Sequence, residues 1–297
     1  MSVKGWVSKM NVNKKLGTIG ILVGGFIMIM GIGTGCTSTG KRITQTASLS
    51  SKSVNEINID CSSANVKLIP EDREDILVEF ETYENGQELL TKEGKTTYIE
   101  TKSKSKFQFF SNTDYKLTVY IPKNYNESAK IDISSGSLTV DDFTFKDLTM
   151  DTSSGNINVN STEAETISID VSSGDIVFND VVCEQLKTKV SSGNIELKKF
   201  EGKIKGKSSS GNLNVTYLEE MNDIDYSTSS GNISIDYSMD INGKFDLACS
   251  SGKVDLSYDL DDYVTNKEKK IVGTKGDATY QVNLSVSSGN IRLTSSK

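Results

Sequence analysis

The phrase Ser-Ser-Gly occurs eight times. It places Gly136, Gly155, Gly174, Gly193, Gly211, Gly231, Gly252 and Gly289 at successive intervals of 19, 19, 19, 18, 20, 21 and 37 residues. Self-similarity at a short fixed period marks one supersecondary unit stacked on copies of itself, because a single copy has no partner for its apolar face. No other feature restricts the fold so tightly.

Counting from each glycine gives the unit. Two residues after it stand Leu138, Ile157, Ile176, Ile195, Leu213, Ile233, Val254 and Ile291. Four after it stand Val140, Val159, Phe178, Leu197, Val215, Ile235, Leu256 and Leu293, and the position between is nearly always polar. Alternation of period two is the mark of a half-buried strand. A second strand precedes the glycine, with apolar residues at seven (Ala129, Leu148, Ile167, Leu186, Ile204, Ile224, Phe245, Val282) and, less strictly, five positions upstream. Glycine supplies the positive φ of the turn, and Asn, which follows it in five copies, tolerates left-handed geometry. The expected fold is all-β: a parallel β-solenoid of ~19-residue Ser-Ser-Gly repeats stacked at roughly 4.8 Å per rung, giving a rod of roughly 40 Å. An antiparallel β-sandwich or meander is the alternative, which a period of two short strands leaves open.

Four segments follow from composition. Lys4, Lys9, Lys14 and Lys15 precede an uncharged apolar run from Leu16 to Ile32, which ends in Gly33-Thr34-Gly35-Cys36. A basic flank before an apolar core is the pattern of a secretory signal or anchor. Small residues before a cysteine resemble a bacterial lipoprotein processing site, with Cys36 lipidated, although Gly33 stands where Leu is usual. A single transmembrane helix is the alternative, since about 20 apolar residues span a bilayer. Residues 1–36 are therefore read as signal or anchor. Residues 37–54, rich in Ser, Thr and Lys, are read as a flexible tether, and 55–128 as a β-rich N-terminal cap opening with a degenerate repeat in which Ala64 takes the glycine place. Residues 129–297 are the solenoid, with 259–275 inserted as a loop in place of one turn and the remainder closing the rod. Both anchor readings put the body outside the cytoplasm, held at the membrane.

The chemistry offered is sparse. There is no histidine, so the commonest general base and metal ligand are missing. Beyond residue 35 the chain carries 29 basic and 40 acidic side chains, a net of −11, and that balance argues against nucleic acid. The serines beside each glycine have no candidate base and read as turn residues bonding the next rung. Asp132, Asp151 and Asp170 fall four residues before successive glycines, on one outward column that continues with Lys189 and Lys207. They are the candidate set for a Ca²⁺ site or a carboxylate pair, against the plainer reading of a solvated face. Cys61 and Cys249 lie in an inward column on distant rungs and read as small core residues, not a disulfide. Cys183 lies in a connector without an assigned role. Phe107, Phe109 and Phe110 mark a contact patch or packing against the cap. No catalytic residue and no cofactor is expected.

Asn55–Leu68, Leu117–Pro122 and the Ser-Ser-Gly-(Asn/Asp)-Ile phrases resemble the "putative adhesin" family of β-strand repeat proteins, a domain of unknown function common in Gram-positive bacteria. The resemblance covers roughly residues 50–295. It implies an anchored extracytoplasmic β-solenoid, sometimes linked to envelope stress, and carries no catalytic residues over. Three functions remain in view. The first is a non-catalytic surface binding or structural module contacting cell-wall glycan or an envelope protein. The others are a regulatory accessory of an envelope-stress response and a polysaccharide-active enzyme on a β-helix.

Overall fold

The computed structural model describes residues 26–31, 41–104 and 114–296. Its described secondary structure is strand throughout, and the repeats pair in parallel, which removes the sandwich alternative. The segment before each glycine stacks on its counterparts: Asp151 lies opposite Asp132 on one side and Asp170 on the other, and Asp170 lies opposite Lys189. The segment after each glycine forms a second ladder, with Ile157 beside Leu138 and Ile176. In the middle rungs the connector is also strand, since Phe143, Thr162, Val181 and Phe200 follow one another. Each middle rung thus has three faces, called here the pre-glycine, post-glycine and connector faces.

The inward columns fill the rod. Leu138, Ile157, Ile176, Ile195, Leu213, Ile233 and Ile291 are all buried, as are the apolar positions seven residues before the glycines. Each such side chain contributes roughly 1.5–3 kcal/mol by leaving water. Phe200, Tyr217 and Tyr237 continue the core as a file of rings, Phe200 edge-on to Tyr217 at 5.8 Å and Tyr217 stacked on Tyr237 at 5.7 Å. The 18-residue interval before Gly211 is absorbed at one irregularity: Val182 pairs with Glu201, but Gln185 pairs with Lys203. Gly202 sits at this step with φ +138°, where an added Cβ would lie 2.0 Å from the Cys183 carbonyl oxygen.

At both ends the order in space departs from the order in sequence. On the pre-glycine face Glu56–Cys61 lies between Ser128–Ser135 and Thr96–Ser103, so the outermost N-terminal rung comes from within the cap, which therefore contributes a full rung. At the other end Tyr280–Ser288 is inserted between Ile224–Ser230 and Gly243–Ser251. The rung of Gly252 closes the rod, and the final residues of the chain lie inside it, the reverse of the expected order. The segment 259–275 is not a loop replacing a turn. Asp262–Lys267 and Lys270–Lys275 form an antiparallel hairpin on the edge of Gly243–Ser251, covering an otherwise open ladder.

The tether reading also fails for half of its length. Arg42–Ser50 is a strand antiparallel to Asp75–Tyr83, with Ile43, Ala47 and Leu49 buried, so its alternation outweighs its Ser and Thr content. Phe26–Gly31, inside the run read as signal or anchor, pairs antiparallel with it. Cys36 and Phe107, Phe109 and Phe110 lie outside the described residues. No helix among the described residues is long and apolar enough to cross a membrane.

Candidate functional site

The glycine turns are built for stacking. Gly155, Gly174 and Gly193 have φ of +149°, +144° and +141°, and a Cβ on each would lie within 1.8–1.9 Å of the carbonyl oxygen of the glycine one rung away. The residue after each glycine forms a second ladder. Asn194 Oδ1 accepts from Asn212 N and Nδ2 at 3.1 and 3.0 Å, and Asn212 Oδ1 accepts from Asn232 N and Nδ2 at 2.8 and 3.2 Å. Asp175 replaces Asn as acceptor, taking Asn194 N at 2.8 Å. The amides of the repeat phrase therefore hold rung to rung. The two serines before each glycine are exposed, and no imidazole exists in the chain to activate them.

Charge is sorted on the pre-glycine face. The outward column four residues before the glycines runs Glu100, Asp60, Asp132, Asp151, Asp170, Lys189, Lys207, Ser227 and Ser285 from the N-terminal end. Counting from glycines finds the three central acids. It misses Asp60, whose rung has Ala64, and Glu100, whose rung has no such residue to count from. Two residues upstream runs a column of Lys130, Thr149, Ser168, Lys187, Lys205 and Asp225. Two further upstream come Asp147, Thr166, Gln185 and Lys203.

Lys187, Lys189, Lys205 and Lys207 form a two-by-two square, since Lys187 lies opposite Lys205 and Lys189 opposite Lys207. Like charges directly opposite on adjacent strands destabilise a sheet, so the square is an energetic liability to the isolated chain. Lys189 bonds Asp170 at 2.6 Å and Lys203 reaches Asp223 at 3.4 Å. Burial and the neighbouring Asp132 raise the Asp151 carboxyl above its ordinary value, with Asp170 adding to the effect and Lys130 and Lys189 opposing it. Hydrogen bonding to Asp170 raises the Lys189 ammonium. A shallow depression of about 620 Å³ opens over Gly206, lined among others by Asp151, Asp170, Lys187 and Lys207.

Among the described residues no three carboxylates or thiols converge to hold a metal ion. Asp132, Asp151 and Asp170 instead stand in file one strand apart, each side chain projecting outward. Cys61 and Cys249 are buried and free on distant rungs, and Cys183 is buried in the connector wall. Burial pushes the thiols of Cys61 and Cys183 up to about 12.

The Toastrack DUF4097 family model matches residues 54–294. No curated protein matches. Among solved structures, one described as a "putative adhesin" of Bacteroides fragilis shares 14% identity over 87% of this chain and 100% of its own, with a TM-score of 0.56. One so described from Parabacteroides distasonis shares 13% identity over 85% of this chain and 97% of its own, at a TM-score of 0.43. A "putative lipid binding protein" of the same organism shares 15% identity over 87% and 98%, at 0.38.

Proposed function

Because the chain belongs to the Toastrack DUF4097 family, a β-repeat domain of unknown function, we propose that it is a non-catalytic binding module of the cell surface whose pre-glycine face makes the contact. The observation that carries this is the segregation of charge on that face: a file of acids running into a square of lysines on a rigid, regular sheet. Rigid parallel ladders fix the spacing of such charges, and complementary potentials of this kind select partners more than they perform reactions. The absence of histidine from the sequence and the outward, single-file carboxylates both favour binding over hydrolysis, which needs two carboxylates converging across a substrate. The lysine-flanked apolar run and the small residues before Cys36 support a lipid-anchored, extracytoplasmic location, with a membrane-spanning segment as the alternative; in either, Phe26–Gly31 gives up its pairing with Arg42–Ser50. Cell-wall glycan and envelope proteins are the partner classes that location offers.

The test is retention of the full chain, in detergent, on envelope preparations and on isolated cell-wall glycan. Wild type is retained, and Lys189→Asp/Lys207→Asp is released. Equal retention of both, or retention of neither, overturns the assignment of this face.

A further inference from the structure

The charges of the pre-glycine face are complementary to themselves. Consider a twofold axis lying in the face, parallel to the strands, midway between the rungs of Gly174 and Gly193. It turns a second copy face to face with the first, with the two rods antiparallel. Lys189 then meets Asp170 of the second copy, and Lys207 meets Asp151, because each pair stands at equal distance on opposite sides of the axis in one column. In the next column Asp225, three rungs beyond the axis, meets Lys130, three rungs before it. In the third, Lys203 meets Asp147. Lys187 faces Ser168, Lys205 faces Thr149, Gln185 faces Thr166, and Asp132 faces Ser227, so no like charges meet over these six rungs. The parallel arrangement behaves oppositely: an axis along the rod sets Asp151 against Asp147 and Lys187 against its own copy.

We infer that this chain forms an antiparallel, face-to-face homodimer through its pre-glycine face. The inference rests on reading that face as a contact surface and names its occupant. A twofold interface must be self-complementary, which is the property these columns have. The second copy also supplies carboxylates to one side of the lysine square, Asp170 to Lys189 and Asp151 to Lys207, and sets hydroxyls against Lys187 and Lys205. Within one chain, Lys187, Lys205 and Lys207 have no carboxylate at salt-bridge distance among the described residues. Six rungs at ~4.8 Å by four outward positions at ~6.7 Å give about 770 Å² per partner, close to a standard specific interface. Its contacts are pairs of exposed charges, so the dimer is reversible and salt-sensitive.

Carbodiimide cross-linking of the full chain in detergent reads the arrangement directly. Lys130 and Asp225 are five rungs apart in one chain, roughly 24 Å, and Lys203 and Asp147 three rungs, roughly 14 Å, so a zero-length link between either pair joins two molecules. Both links are expected in wild type, with sedimentation shifting from dimer to monomer as salt rises. Lys189→Asp/Lys207→Asp and Asp151→Lys/Asp170→Lys are each expected to be monomeric alone, and their equimolar mixture to recover the dimer, because all four contacts then become opposite pairs again. Monomeric wild type overturns the inference, as does a dimer lacking both links or one that survives in each variant alone. Circular dichroism checks the variants, and should either fail to fold, the wild-type links decide. Monomeric wild type that is still retained on envelope or glycan would remove the second copy as occupant and leave the proposed function standing.

Discussion

Gly174 gives the sharpest test of the stacking argument. Its φ of +144° is a conformation that L-residues rarely adopt, and a Cβ there would lie 1.9 Å from the Gly155 carbonyl oxygen and 2.6 Å from its carbon. Those are backbone atoms, so no side chain can swing aside. Holding a non-glycine residue in such a region costs about 1–3 kcal/mol. Forcing atoms into a packed site costs a similar ~1–3 kcal/mol, giving about 4 kcal/mol for Gly174→Ala. That is a large share of the ~5–15 kcal/mol by which folded domains are stable. Urea unfolding followed by circular dichroism measures the loss. Hydrogen exchange locates it, because each rung of a solenoid contacts only its neighbours and protection should fall first around Gly155, Gly174 and Gly193. Gly193→Ala, with φ +141° and the Gly174 oxygen 1.9 Å away, should behave alike. Ala64 provides the contrast: it stands in the same column without a positive φ, so Ala64→Gly should destabilise through chain entropy, by roughly 0.4–1 kcal/mol. Losses below ~1 kcal/mol in both glycine variants, less than strain alone accounts for, would refute the reasoning.

Three further outcomes are expected. Asn212→Ala removes the donor to Asn194 and the acceptor for Asn232, and should cost about 1–2 kcal/mol in urea unfolding; Asn212→Asp keeps the acceptor, as Asp175 does naturally, and should cost less. The Cys61 and Cys183 thiols, ordinarily near 9.0 and raised to about 12, stay protonated in the fold while the unfolded chain ionises, so the stability they contribute is full below pH 9 and is lost as pH rises towards 12. Urea midpoints at rising pH should fall over that window, and less steeply in Cys61→Val, a residue the same column holds at Val171 and Val190. Globomycin-sensitive lipid labelling of the full chain should vanish in Cys36→Ala; wild type without labelling would refute lipidation at Cys36.

The repeat was legible because its physics is local. A buried position two residues after Gly155 and another two after Gly174 must both be apolar, so the columns appear in one sequence without a comparison. The outward acid column was legible for the same reason, where a glycine gave the register. The order of the end rungs was not, because a periodic sequence makes rungs interchangeable. Nothing in Val282, Leu284 and Val286 distinguishes a last rung from a penultimate one, and the 37-residue interval before Gly289 records an excursion without its destination. Arg42–Ser50 was missed for a different reason. Its Ser and Thr content matches that of a linker, and only the alternation of Ile43, Gln45, Ala47 and Leu49 betrays a pairing edge supplied by distant residues. The self-complementary face needed the order of rungs and the lateral register together, since the sign pattern has meaning only once Lys130 and Asp225 are placed in one column.

The inserted rung near the C-terminus has a mechanical consequence. Ile291–Ser295, almost the last residues of the chain, pair with Ile233–Tyr237 on one side and Val254–Leu256 on the other. A rung at the outer edge of a stack is held by one ladder, and this one is held by two. It cannot leave the stack until the Gly252 rung and the hairpin outside it have moved. Local opening at this end of the rod should therefore begin in residues 262–275 and reach Ile291–Ser295 last.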